Sequence, residues 1–142
     1  MMISTKGRYA LRVLLDLAEN CSQGYIPMKD IAQRQGLSLK YLERIMPLLS
    51  KNGFVEAVHG KGGGYRLAIE PMQCNLWQIL ELTEGDLAPV SCLECGAKPC
   101  EQAASCRTLP VWKELERRVR SYLQSVSLFD LLQSDPADHY MI

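Results

Sequence analysis

Four cysteines fall within fifteen residues of this chain, Cys92, Cys95, Cys100 and Cys106, whereas Cys21 and Cys74 stand alone. Thiolates at that density bind soft metals or iron–sulfur clusters, or exchange redox partners among themselves. The opening residues, Met1-Met2-Ile3-Ser4-Thr5-Lys6, form no secretory apolar core, so a cytoplasmic location is expected. A reducing compartment disfavours structural disulfides and turns a tight cysteine group towards metal or redox chemistry. Zinc competes with iron, because Cys92 and Cys95 form one CxxC unit. The five residues between Cys100 and Cys106 make a poor second knuckle. A metal-free thiol switch is the third reading. Cys21 and Cys74 are expected to be structural, as isolated buried thiols usually are. His59 and His139 have no ligand-like company.

A second constellation, His59-Gly60-Lys61-Gly62-Gly63-Gly64, joins basic charge to backbone freedom. It lies between two short alternating runs, 54–58 and 65–68, and so reads as the tip of a hairpin. The triple glycine is not followed by the Gly-Lys-Ser/Thr of a nucleotide loop. No nucleophile–base pair or paired acids stand out either, and an enzyme is not expected.

These groups need elements to position them. Apolar residues at helical spacing predict a first helix over 5–19 capped by Ser4, and a second over 28–35 stopped by Gly36. Ser38 caps a third over 39–52, with Leu39, Leu42, Ile45, Met46 and Leu49 as its core stripe and a kink or ragged half expected at Pro47. Three helices and a basic hairpin make a winged helix-turn-helix. On its reading helix Ser38, Lys40, Tyr41, Glu43 and Arg44 face outward. Arg44 or Lys40 suit guanine edges, and Glu43 suits a cytosine amino group. Lys61 and the wing glycines suit close approach to a sugar–phosphate backbone.

The fold class is therefore mainly α with a small β-hairpin, and the expected division is as follows. Residues 1–70 form the winged-helix domain, 71–84 hold a connecting helix (75–82), and 85–108 form a cysteine-rich loop. A long helix and a short terminal one fill 109–132, and 133–142 are a tail. In the long helix Trp112, Leu115, Val119, Tyr122 and Val126 step by three and four, a seam for pairing across a homodimer. Thr108 is its expected cap.

The formal charge of zero hides an asymmetry. Residues 1–70 hold ten Lys/Arg against six Asp/Glu, and residues 71–142 hold six against ten. A net +4 at the front suits duplex DNA. No apolar run approaches the roughly 20 residues of a membrane span, so a membrane partner is not expected.

The runs STKGRYALRVLLDLA, IAQRQGLSLKYLERI and GKGGGYRLA occur in order over 4–18, 31–45 and 60–68. Together they resemble the IscR family of bacterial regulators, with its NsrR- and CymR-type relatives, over about residues 2–132. The resemblance implies a homodimeric winged-helix regulator, expected as a repressor, on double-stranded promoter DNA, with Lys6, Arg8 and Tyr9 near the DNA backbone. It also implies an iron–sulfur cluster in the cysteine loop, with 2Fe-2S expected ahead of 4Fe-4S. Loading of that cluster would tune promoter affinity for genes of cluster biogenesis or a related iron or redox response.

Cluster-binding members keep three cysteines with five residues between neighbours. Here Cys100 and Cys106 fit, while Cys92 and Cys95 compete for the first place, and Leu109 stands where IscR has a histidine. Either all four cysteines ligate, or three do with an oxygen or partner-subunit ligand. Two alternatives stay open: a cluster-free regulator working through thiol redox, zinc or a partner enzyme, and an electron-transfer or cluster-delivery protein.

Overall fold

The computed structural model describes residues 3–94, 96–98 and 100–134. Helix α1 (Thr5–Glu19) starts at Ser4, whose Oγ accepts the Gly7 N–H at 3.3 Å. Its stripe of Ala10, Val13, Leu14 and Leu17 lies at 0–1% exposure, the centre of the main core. Helix α2 (Met28–Gln35) ends at Gly36, where φ of 65° and ψ of 33° put the chain in the left-handed region that glycine enters without strain. Ser38 then caps α3 (Leu39–Lys51), its Oγ accepting the Tyr41 N–H at 3.1 Å.

Two expectations for α3 need correction. Leu42, Ile45, Met46 and Leu49 are fully buried, but Leu39 is 47% exposed. Leu37 and Tyr41, both packed on the core, fill that end instead. The half of the helix around Pro47 is not ragged, since α3 is continuous through Lys51. Pro47 sits on the exposed side, where the carbonyl it leaves unpaired can face water.

Strands β1 (Val55–Val58) and β2 (Gly64–Leu67) pair antiparallel, with Val55 opposite Leu67 and Val58 opposite Gly64. Ile26 adds a bridge to Tyr65, through N–H to carbonyl bonds of 2.7 and 2.8 Å. A side chain at Gly64 would collide with the backbone of Ile26 and Pro27, so that bridge needs glycine there. Between α1 and α2, Asp16 is buried to 1% and accepts two bonds from Arg34 (2.9 and 2.7 Å) and one from Gln35 (2.9 Å).

Helix α4 (Leu76–Glu84) is closed at its start by an Asn75–Gln78 capping box and runs two residues beyond expectation. It lies on α1, where Gly7 permits contact with Leu80, Thr83 and Glu84. The Glu84 carboxylate accepts both the Ser4 N–H (3.0 Å) and the Ser4 hydroxyl (2.7 Å). Trp77, Leu80 and Leu87 make a second small core with Ile3, Leu11 and Leu123.

Among the described residues of 85–108 there is one short 3₁₀ turn, Ser91–Leu93. Helix α5 (Leu109–Ser125) buries none of its residues. Its predicted seam divides: Trp112, Val119 and Val126 are half-buried, whereas Leu115 and Tyr122 are 43% and 66% exposed. Helix α6 (Leu128–Gln133) returns to the front of the molecule, with Leu128 fully buried in the main core. The tail, 135–142, lies outside the described residues.

Candidate nucleic-acid interface and cysteine segment

The exposed side of α3 gathers its polar groups at one end. Ser38, Lys40, Tyr41 and Arg44 line a shared shallow depression. Tyr9 of α1 meets the Tyr41 ring edge-on, with centroids 5.3 Å apart and planes at 76°. The Arg12 guanidinium lies 5.2 Å over Tyr9 and also donates to the Gln35 carbonyl. Tyr9 and Tyr41, 32 positions apart in sequence, thus join α1 to the exposed side of α3. Arg12 is the brace that sequence reasoning overlooked, although its i,i+3 spacing from Tyr9 was visible.

Lys6 and Arg8 are exposed in the first turn of α1, with an Arg8 Nη2 to Thr5 Oγ1 contact of 3.4 Å. Glu43 is exposed one turn beyond Leu39. His59, Gly60, Lys61 and Gly62 form an exposed wing tip, with Gly63 half-buried behind it. Gly60 and Gly62 have φ of 94° and 77°, and a side chain at Gly63 would strike the Val58 carbonyl.

Part of the charge at this end is uncommitted. Arg34 is taken by Asp16, and Arg66 by Glu56 at 2.7 Å and by the Tyr25 ring at 4.6 Å. Hydrogen bonding to those carboxylates raises both guanidinium pKa values. Among the described residues, Lys6, Lys40, Arg44 and Lys61 form no ion pair. They remain available to an anionic partner.

The cysteines are arranged differently. Cys92 and Cys100 are exposed and Cys106 is half-buried, while Cys95 lies outside the described residues. Cys106 Sγ is 3.5 Å from Thr108 Oγ1. That hydrogen bond, with backbone bonds from Thr108 and Leu109 at the start of α5, lowers the thiol pKa and favours the thiolate. Thr108 therefore serves Cys106, and its side chain makes no capping bond to α5. Among the described residues, no three or more His, Cys, Asp or Glu side chains are gathered at metal-binding distances.

Of the isolated cysteines, Cys74 is fully buried, as expected, and burial pushes its thiol up to about 11. Cys21 is instead exposed on the Cys21–Gln23 turn, which lies outside the helical core stripe. His139 lies outside the described residues.

Three helices, the third carrying free cations on its exposed face, and a hairpin wing define a winged-helix protein of the transcription-regulator class. Residues 3–134 match the Rrf2 family, described as "Iron-dependent Transcriptional regulator", and the chain belongs to that family. It is 36% identical over 132 residues to the HTH-type transcriptional regulator IscR of Aliivibrio salmonicida, covering 93% of this chain and 77% of that protein.

Solved relatives agree. CymR, the global cysteine regulator of B. subtilis, is 33% identical with a TM-score of 0.77, over 95% of this chain and 99% of CymR. T. potens IscR is 31% identical with a TM-score of 0.72, over 99% of this chain and 97% of that one. The chain is a transcriptional regulator of the Rrf2/IscR family, whose matched members are regulators and not enzymes. That membership sets aside the electron-transfer and cluster-delivery reading. Among the described residues no helix is long and apolar enough to cross a membrane.

Proposed function

We propose that the chain acts in the cytoplasm as a homodimer on double-stranded promoter DNA, its affinity set by an iron–sulfur cluster in segment 92–106. The observation that carries the DNA reading is the set of uncommitted cations, Lys6, Lys40, Arg44 and Lys61, on α1, α3 and the wing. In this reading Ser38, Lys40, Tyr41, Glu43 and Arg44 enter the major groove. Lys6, Arg8 and Tyr9 hold the backbone, and His59, Gly60, Lys61, Gly62 and Gly63 approach it from the wing.

The dimer contact runs along α5, where Val111, Leu115 and Tyr122 keep 56%, 43% and 66% of their surface exposed. An amphipathic helix with that outer stripe is completed by a second copy of itself.

The donor chemistry of the cysteine segment fits a cluster. Cys92 and Cys100 are accessible soft donors, and Cys106 is biased towards the thiolate that ligation requires. Cys92, Cys95, Cys100 and Cys106 are the proposed ligands. A bound cluster supplies fixed negative charge and a covalent tie that is sensitive to iron supply and oxidation. The protein's contribution is the path from that tie. Residues 85–108 join α4 to α5, and Glu84 at the end of α4 holds Ser4, the cap of the DNA-facing helix. Zinc on the same thiolates is the competing occupant. A cluster-free regulator is the second reading, because among the described residues no three metal-binding side chains are gathered.

Duplex binding as a function of salt tests the DNA reading. Affinity should fall steeply, with a log–log slope near −0.9 for each phosphate neutralised. No binding at low salt contradicts it. Iron, sulfide and zinc content of anaerobically purified protein separates the occupants.

A further inference from the structure

We infer that Leu39 is a base-reading residue that recognises a thymine 5-methyl group in the major groove. The inference rests on the proposal that α3 reads DNA. Leu39 has the sequence spacing of a core residue, yet it is 47% exposed, because Leu37 and Tyr41 close that end of the core. Of the large exposed apolar residues described, Val111, Leu115 and Tyr122 lie on α5, Met72 in a connecting turn and Val58 at the wing. Leu39 is the one on α3, and it occupies the first helical position. That end of a reading helix approaches base edges most closely.

Its neighbours narrow the ligand. Ser38 Oγ accepts the Tyr41 N–H and keeps its own O–H to donate, while exposed Lys40 and Arg44 offer only donors. An aliphatic side chain offers none. In the major groove the one apolar feature that distinguishes base pairs is the thymine methyl. Glu43 lies four residues on, on the same flank, and a carboxylate there accepts from a cytosine amino group. Four residues of helix rise about 6 Å, so the thymine should lie within about two base pairs of that cytosine. Leucine thereby supplies a contact that a lysine or arginine could not, and water leaves two apolar groups at once.

The test uses a duplex selected from a random-sequence pool by the full-length protein. Each thymine is replaced in turn by deoxyuridine, which lacks only the methyl group. At one thymine per half-site, affinity should fall roughly threefold to tenfold. Leu39→Ala should bind thymine and uracil duplexes alike at that position and keep its melting temperature, and Leu39→Met should retain the discrimination. Indifference of the unaltered protein to uracil everywhere, or full discrimination in Leu39→Ala, overturns the inference and leaves DNA reading by α3 intact. Failure to bind any duplex overturns both.

Discussion

Helices α1 and α5 are similar in length, 15 and 17 residues, and both are amphipathic, yet they end up in opposite situations. Helix α1 buries seven residues inside its own chain, from Gly7 to Ala18. Helix α5 buries none, and Val111, Leu115 and Tyr122 face outward. An apolar face in an isolated chain is either covered by local packing or left for another surface. The front of the molecule is thus a finished scaffold whose free energy is internal. The rear keeps an exposed apolar stripe, which a second copy would cover in the proposed dimer.

Removing the cation that neutralises buried Asp16 should damage the finished half most. Arg34→Ala should cost about 3 kcal/mol in denaturant unfolding, because a carboxylate at 1% exposure keeps only its Gln35 bond. A loss below about 0.5 kcal/mol would show that the front tolerates an unpaired buried charge.

The unfinished half predicts the reverse. Leu115→Asp combined with Tyr122→Asp should weaken self-association at least about a hundredfold in sedimentation, with secondary structure kept. If the double variant remains dimeric, the outer stripe of α5 is not the contact and the contrast loses its meaning.

Arg44→Ala, at a free cation, should lower duplex affinity by about 1–3 kcal/mol without changing the melting temperature. A change in stability with no change in binding would place Arg44 in the scaffold instead.

The smallest effect concerns Cys106. Its thiolate is favoured by Thr108, so alkylation of metal-free protein should reach half its maximal rate at a lower pH than for an ordinary thiol. Thr108→Val should move that midpoint upward. An unchanged midpoint would remove the hydroxyl from the account. Cys74, pushed up to about 11 by burial, should stay unreactive over the same range while the protein is folded.

The two halves were also unequally legible in the sequence. Local signals were enough for the front. Ser4, Ser38 and Gly36 mark helix ends by chemistry that acts over three or four residues, and the Gly-rich tip marks the hairpin. Periodicity alone puts Leu39 in the core, and cannot see that Leu37, outside the helix, packs there while Leu39 stays 47% exposed. The Ser4–Glu84 bonds and the Tyr9–Tyr41 contact were hidden for a related reason, since their partners are 80 and 32 positions apart. In the rear, the seam of α5 was readable as a pattern, but which part meets α4 and which faces outward depends on the tertiary path of the chain. The cysteine spacing pointed to thiolate chemistry. It carried no sign that Thr108 would turn from capping α5 to holding Cys106.

The central claim is that the state of the cysteine segment sets DNA affinity. The direct measurement compares duplex affinity of anaerobically purified, cluster-loaded protein with that of the same protein stripped of iron, beside the Cys100→Ser, Cys106→Ser double variant. The account predicts a change of at least about tenfold in the unaltered protein, a coupling of about 1.4 kcal/mol, and none in the variant. Equal affinity in all three samples would contradict it and leave a DNA-binding regulator whose cysteines serve something else.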